Sequence, residues 1–212
     1  MKLRTQAGIG AKLLYGHVTG RRIPVNVMIS VTNHCPSRCA YCDIPLSTLP
    51  EMNTGELLLL LREIRRAGCE RIALWGGEPL MRADIDEVVA YAKSIGLFVT
   101  MDSNGYLVPE RMPVIRALDY LLLSLDGPER AHDANREPGS HAKCMKALDA
   151  ALGQVPVMTL TVLTKNNLEH IDHLVDLAAS RGFVATFQLL YHNEAQAGDT
   201  SGLLPDQAAY RR

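Results

Sequence analysis

The sequence has no apolar run near the ~20 residues that a membrane-spanning helix needs. Its longest greasy patch, Leu57 to Leu61, is followed at once by Arg62, Glu63, Arg65 and Arg66, and reads as one face of an amphipathic helix. No N-terminal segment joins a long apolar core to a small-residue cleavage site, so no export signal is visible. Net charge is nearly absent: 22 Lys and Arg stand against 23 Asp and Glu, giving −1. That balance argues against nucleic acid, whose binding asks for a basic face. No low-complexity stretch or linker divides the chain. Cysteine is scarce and its count of five is odd. Without an export signal, an odd count argues against a disulfide framework and for a cytoplasmic protein with reduced thiols.

Acid is missing from the leader. Asp43 is the first acidic residue, and Lys2, Arg4, Lys12, Arg21, Arg22 and Arg38 precede it. Residues 1–22 therefore read as a basic N-terminal extension, solvated and packed against the domain. Contact with an anionic membrane surface or an acidic partner is the alternative.

What is present suits one domain: 212 residues, 47% of them apolar. Short β-rich runs at 25–32, 71–75, 97–102, 120–125, 155–163 and 183–190 alternate with helical patterns. The helices are expected at 54–67, capped by Thr54, then at 84–95, 109–118, 140–152, capped by Ser140, and 168–180. Strands separated by helices need crossover connections, and so pair in parallel. An open doubly wound sheet and a barrel both fit; six units fall short of the eight of a full TIM barrel. The expectation is α/β: a partial (β/α)6 TIM-type barrel, parallel strands inside and helices outside, over residues 23–192. Residues 193–212 form a tail with a loop at Gly198 and Gly202. A helix opening at Pro205 stops in mid-pattern, as in a truncated chain.

Three of the cysteines, Cys35, Cys39 and Cys42, crowd into a C-x3-C-x2-C loop just past the first strand. A structural zinc site has four ligands, usually as paired C-x2-C units. The second pair is missing here, and His34 stands too close to Cys35 to share one ion with it easily. Cys69 and Cys144 are isolated and read as packing thiols. A [4Fe–4S] cube normally takes four thiolates, so three leave one iron open to another ligand. A zinc knuckle remains the alternative at this point.

This loop, with Tyr41 just before its last cysteine, resembles the signature of the radical S-adenosylmethionine (radical SAM) superfamily. The resemblance implies a [4Fe–4S] cluster on Cys35, Cys39 and Cys42, and SAM chelated at the open iron. It implies reductive cleavage of SAM to methionine and a 5′-deoxyadenosyl radical that abstracts hydrogen from a substrate. The other strand ends agree. Gly76-Gly77-Glu78-Pro79 is similar to the family motif that binds the SAM amino group. Ser103-Asn104 resembles a family turn facing the cofactor. The stretch from Ser124 through Asp126 to Arg136 resembles the branch of sulfatase-maturating and SPASM-type peptide-modifying enzymes, which implies SAM contacts for Ser124 and Arg136. Asn167 resembles a ribose contact and Tyr191 an adenine contact, with His192 a candidate for substrate. That branch carries further cysteines for auxiliary clusters; none follows Cys144 here. The family also implies a low-potential electron donor such as flavodoxin or ferredoxin. The substrate stays open among a peptide, a lipid or isoprenoid, and a small metabolite. The rival function is a non-catalytic metal-binding module, either a zinc-stabilised regulator or an iron–sulfur electron carrier.

Overall fold

The computed structural model describes residues 3–190 and 200–206. Tyr191, His192 and the helix expected beyond Pro205 fall outside the described residues, apart from Asp206. Six strands form one parallel sheet in sequence order: β1 (Asn26–Thr32), β2 (Arg71–Gly76), β3 (Phe98–Ser103), β4 (Tyr120–Ser124), β5 (Val157–Leu163) and β6 (Val184–Leu189). Among the described residues β1 pairs only with β2 and β6 only with β5, as in a partial barrel. Residues from β1 to β6 nonetheless face one shared cavity, which reports the curl of the sheet.

Alternation along each strand divides the sheet into two faces. Ile72 and Leu74, Val99 and Met101, and Leu121 and Leu123 point outward into the apolar core. There they meet Leu57 and Leu61 of α2 (Thr54–Arg66), Val88 and Val89 of α3 (Ile85–Ser94), and Leu148 of α6 (Ser140–Ala151). Burial of each such side chain stabilises the fold by roughly 1.5–3 kcal/mol. The other face, with Arg71, Ala73 and Trp75 on β2 and Phe98, Thr100 and Asp102 on β3, looks into the barrel. Its closed end is stacked: Arg71 lies 6.0 Å from the Phe98 ring, and Phe98 lies 6.0 Å from Tyr120.

Helix boundaries differ from expectation for identifiable reasons. Asn53, not Thr54, caps α2, because Asn53 and Glu56 close a capping box. The Thr54 hydroxyl instead donates to Asp84 at 2.6 Å. Gly139 takes the cap position of α6, and Ser140 lies inside the helix. The free N–H groups of that helix come from Gly139 and His141, and both donate to Asp133. Asp133 sits on α5 (Glu129–Asn135), a helix absent from the expected set. The remaining helices are α4 (Met112–Ala117) and α7 (Ile171–Arg181).

The leader is also helical: α1 spans Leu3–Thr19. It reaches the barrel through the Lys12 ammonium, which donates to the Gly68 carbonyl at 2.7 Å and pairs with Glu70. Leu13, Leu14 and Val18 stay exposed on it. No described helix is long and apolar enough to cross a membrane.

Candidate active site

A cavity of about 660 Å³ opens where the strands end. Cys35, Cys39 and Cys42 line it, together with Tyr41, Gly76, Gly77, Ser103, Asn104, Ser124 and Arg136. Residues far apart in the chain are thus brought to one place, at the strand termini where parallel barrels carry their sites.

The cysteine loop is held by backbone and side chain. Gly76 (φ +124°) and Gly77 are required at the end of β2: a Cβ on Gly76 would stand 2.4 Å from the Thr32 carbonyl oxygen, and one on Gly77 2.2 Å from that of His34. This closeness lets the Gly77 N–H donate to Thr32 and the Glu78 N–H to His34, each at 2.7 Å. The glycines therefore press β2 against the root of the cysteine loop. On the other side, the Ala40 N–H donates to the Asn135 carbonyl at 2.9 Å, and the Tyr41 hydroxyl donates to Asp126 at 2.7 Å.

All five cysteines are free thiols. Asn104 Nδ2 lies 3.6 Å from Cys35 Sγ, Arg136 Nη1 lies 3.6 Å from Cys39 Sγ, and the Ser37 hydroxyl lies 3.4 Å from Cys39 Sγ. Donors aimed at sulfur suit thiolates that ligate an iron–sulfur cluster. Burial pushes the Cys35 thiol up to about 11, with Glu78 and Cys39 adding to the rise, and burial also raises Cys42. A bound cation reverses that, deprotonating the thiol outright. Among the described residues no three His, Cys, Asp or Glu side chains converge as a single ion requires. Cys69 and Cys144 are buried, and their thiols donate to the Arg71 and Ser124 carbonyls at 3.0 and 3.3 Å.

Several motif residues stand behind the cavity wall. Glu78 has no exposed surface. Its carboxylate accepts from the Ser103 hydroxyl at 2.9 Å, the Asn104 N–H at 2.8 Å and the Leu80 N–H at 3.2 Å. Burial raises its carboxyl to about 7 against those bonds. Pro79 is buried beside it and opens a short 3-10 turn. The side chain anchors the turn that carries Ser103 and Asn104.

Asp126 is likewise fully buried. One oxygen accepts from Tyr41 and from Arg136 Nε at 2.8 Å, the other from the Val162 N–H at 3.0 Å. Both amide protons of Asn167 are spent on the Asp126 and Val162 carbonyls, at 2.8 and 2.9 Å, and its oxygen accepts from the Thr164 N–H. These bonds join the chain just beyond β4 to the end of β5. Burial works against the Arg136 charge, but Asp126 and Tyr41 hold the guanidinium protonated, and it stacks 5.7 Å over the Tyr41 ring.

His132 lies on α5, beside this network. It is buried, its Nδ1 accepts the Asp126 N–H at 3.0 Å, and burial, aided by Arg136, pushes its pKa down to about 4. Sequence reasoning also passed over Trp75 and Asp102, which line the cavity. A charged residue inside the otherwise apolar run of β3 was the available signal for Asp102.

Comparison with known proteins agrees with this geometry. The family model described as the radical SAM superfamily matches residues 29–178. The PqqA peptide cyclase of Rhodopseudomonas palustris is 30% identical over 166 residues, covering 74% of this chain and 44% of that protein. The enzyme of the same name from Rhizobium meliloti is 30% identical over 186 residues, covering 82% and 49%. The chain thus spans about half the length of these relatives. In fold it resembles Streptococcus suis SuiB bound to S-adenosylmethionine, with a TM-score of 0.71 at 17% identity over 82% of this chain and 42% of that one. It also resembles anSMEcpe with bound AdoMet and Cp18Cys peptide, with a TM-score of 0.73 at 17% identity over 90% and 57%. The cysteine loop, the six-stranded parallel half-barrel and the family match together make this chain a member of the radical SAM superfamily, whose proteins use a [4Fe–4S] cluster and S-adenosylmethionine.

Proposed function

We propose that the chain cleaves SAM reductively at a cluster held by Cys35, Cys39 and Cys42, and that the hydrogen acceptor so produced acts on a peptide. The observation that carries this reading is the meeting of all three thiols with Ser103, Asn104, Ser124 and Arg136 around one cavity. A [4Fe–4S] cluster held by Cys35, Cys39 and Cys42 would supply the one-electron reduction of bound SAM, and with it the hydrogen-abstracting chemistry of this reading.

The chain's own residues position and shield. Ser124 and Arg136 serve the carboxylate and ribose side of SAM, and Ser103, Asn104 and the Gly76–Gly77 segment line its other flank. Glu78, Asp126 and Asn167 act through the loops they bind, and Tyr41 locks the cysteine loop to Asp126. The electron comes from a low-potential flavodoxin or ferredoxin, in the reducing cytoplasm.

Support for a peptide comes from the relatives named PqqA peptide cyclase and from the fold shared with SuiB, which is also known bound to its precursor peptide SuiA. Anaerobic loading with iron and sulfide tests the core of the proposal. About four irons per chain and dithionite-dependent 5′-deoxyadenosine are expected. Cys39→Ala should lose both; retained SAM cleavage in that variant would contradict the ligand assignment.

A further inference from the structure

Six buried polar side-chain atoms have no partner among the described residues, and three of them belong to the barrel's inner face: Arg71 Nε, Trp75 Nε1 and Asp102 Oδ1. The register of β2 and β3 runs Ala73↔Thr100 and Leu74↔Met101, so Trp75 and Asp102 stand side by side. Across the other edge of β2, Ser30 pairs with Trp75. One row therefore presents a hydroxyl, an indole N–H and a carboxylate. It lies one residue below Gly76 and Ser103, where the SAM-facing loops begin. Trp75 and Asp102 line the 660 Å³ cavity, and Ser30 and Trp75 also wall an adjoining groove of about 500 Å³ edged by Ile44, Leu46 and Leu49. The row thus spans the junction between an outer groove and the reaction chamber.

Leaving a buried donor or acceptor unpaired costs roughly 1–3 kcal/mol. A donor and an acceptor left unpaired side by side, on a cavity wall, match a ligand with both functions at that spacing. Arg71, four residues below Trp75 on the same face, contributes positive charge that opposes the desolvation of Asp102; burial still raises that carboxyl to about 6.

We infer that Trp75 and Asp102 form a substrate-reading pair, in which the indole N–H donates to a peptide carbonyl and the carboxylate accepts from a peptide N–H of the chain entering through the groove. The inference rests on the peptide reading above and adds the residues that grip the substrate backbone. It assigns no proton transfer to either side chain; both are positioning groups that hold one peptide unit near the SAM-facing loops.

Trp75 is the single tryptophan, so its emission reports on the pair directly. The probe is a blocked tripeptide amide, N-acetyl-Gly-Leu-Gly-amide, titrated into the cluster-loaded protein with SAM under anaerobic conditions. Its depsipeptide counterpart, with the central N–H replaced by an ester oxygen, is titrated in parallel. A ligand of about 20 non-hydrogen atoms binds at tens of micromolar if it reaches ~0.3 kcal/mol per atom. A saturable change in emission is expected in that range, with the ester binding about tenfold more weakly, as loss of a bond to a charged acceptor implies. Asp102→Leu should reduce peptide affinity by a similar factor and erase the preference for amide over ester. Trp75→Phe, followed by calorimetry, should weaken both ligands alike. Thermal melting identifies any variant that merely fails to fold; Asp102→Asn, closer in shape, then replaces it. No saturable signal up to ~10 mM, equal binding of amide and ester, or an Asp102 variant that loses SAM affinity but not peptide affinity would overturn the inference. SAM binding by the unmodified protein is measured in the same titration series. Its failure would strike the parent reading, whereas intact SAM binding with an indifferent Asp102 strikes only the pair.

Discussion

Asp126 and Asp102 are both carboxylates near the mouth of the same parallel sheet, one just beyond β4 and the other within β3. Asp126 accepts from Tyr41, Arg136 and the Val162 N–H, and has no exposed surface. Asp102 has an oxygen that accepts from nothing, and it lines the cavity. The same division runs through the other polar groups. Glu78 and Asn167, like Asp126, spend their hydrogen-bonding capacity on holding loops together. Trp75, like Asp102, keeps its capacity unspent and turned inward. The difference separates residues that build the wall from residues available to what the wall encloses.

Replacing members of each set should have opposite effects. The largest is expected at Asp126. In Asp126→Ala, Arg136 becomes a buried charge without its partner, a loss of roughly 3–5 kcal/mol, which lowers the melting temperature by about 10 °C or more in a chain of this size. Iron retention should fall with it, because Tyr41 loses its anchor. A melting curve like that of the unmodified protein would dissolve the distinction between the two sets.

Glu78 provides the next test, through pH. Burial raises its carboxyl from the ordinary 4.5 to about 7, so the folded state binds the extra proton between those values. Stability from this group is present below about pH 4.5 and is lost as pH rises through 7, on the order of 3 kcal/mol in all. Glu78→Gln should flatten that part of the stability–pH curve, measured by chemical denaturation of the cluster-free protein. An unchanged slope would place Glu78 outside the buried network.

Asp102→Asn sharpens the comparison by reversing its sign. Removing a desolvated carboxylate that lacks a partner should stabilise the cluster-free protein, by about 1 kcal/mol. A destabilisation as large as that of Asp126→Ala would mean that Asp102 is a structural group. The smallest effect is expected far from the site. Lys12→Met removes the partly exposed pairing with Glu70 that docks α1, and should cost no more than about 1 kcal/mol. A larger loss would make the leader helix part of the folding core.

The sequence was informative where chemistry depends on spacing. Three cysteines at C-x3-C-x2-C lie on one loop and must meet, whatever surrounds them. The six strands were readable because their outward residues, such as Ile72, Leu74, Val99 and Met101, make apolar runs. It was uninformative where chemistry depends on which bonds are already made. Glu78 reads as a carboxylate beside two glycines; only the placement of Ser103 and Asn104 reveals that its oxygens are occupied. Asn167 reads as a polar turn residue, yet its amide is used up by carbonyls on two strands. The close approach of Gly76 and Gly77 to the backbone of Thr32 and His34 likewise shows only in the fold. Helix α5 was missed because its seven residues, Glu129–Asn135, hold no apolar stripe and are fixed by tertiary bonds from His132 and Asp133. Trp75 was missed because a single tryptophan in a strand looks like core until its neighbours show which face it takes.

The claim on which the rest depends is that the three thiols hold one cluster with an iron left open for SAM. The most direct test is the electron paramagnetic resonance spectrum of the dithionite-reduced, reconstituted protein, recorded with and without SAM. The account predicts a [4Fe–4S]⁺ signal whose g-values shift when SAM is added, and no such signal in Cys39→Ala. A reduced cluster whose spectrum is indifferent to SAM, or a signal that survives the loss of Cys39, would contradict it.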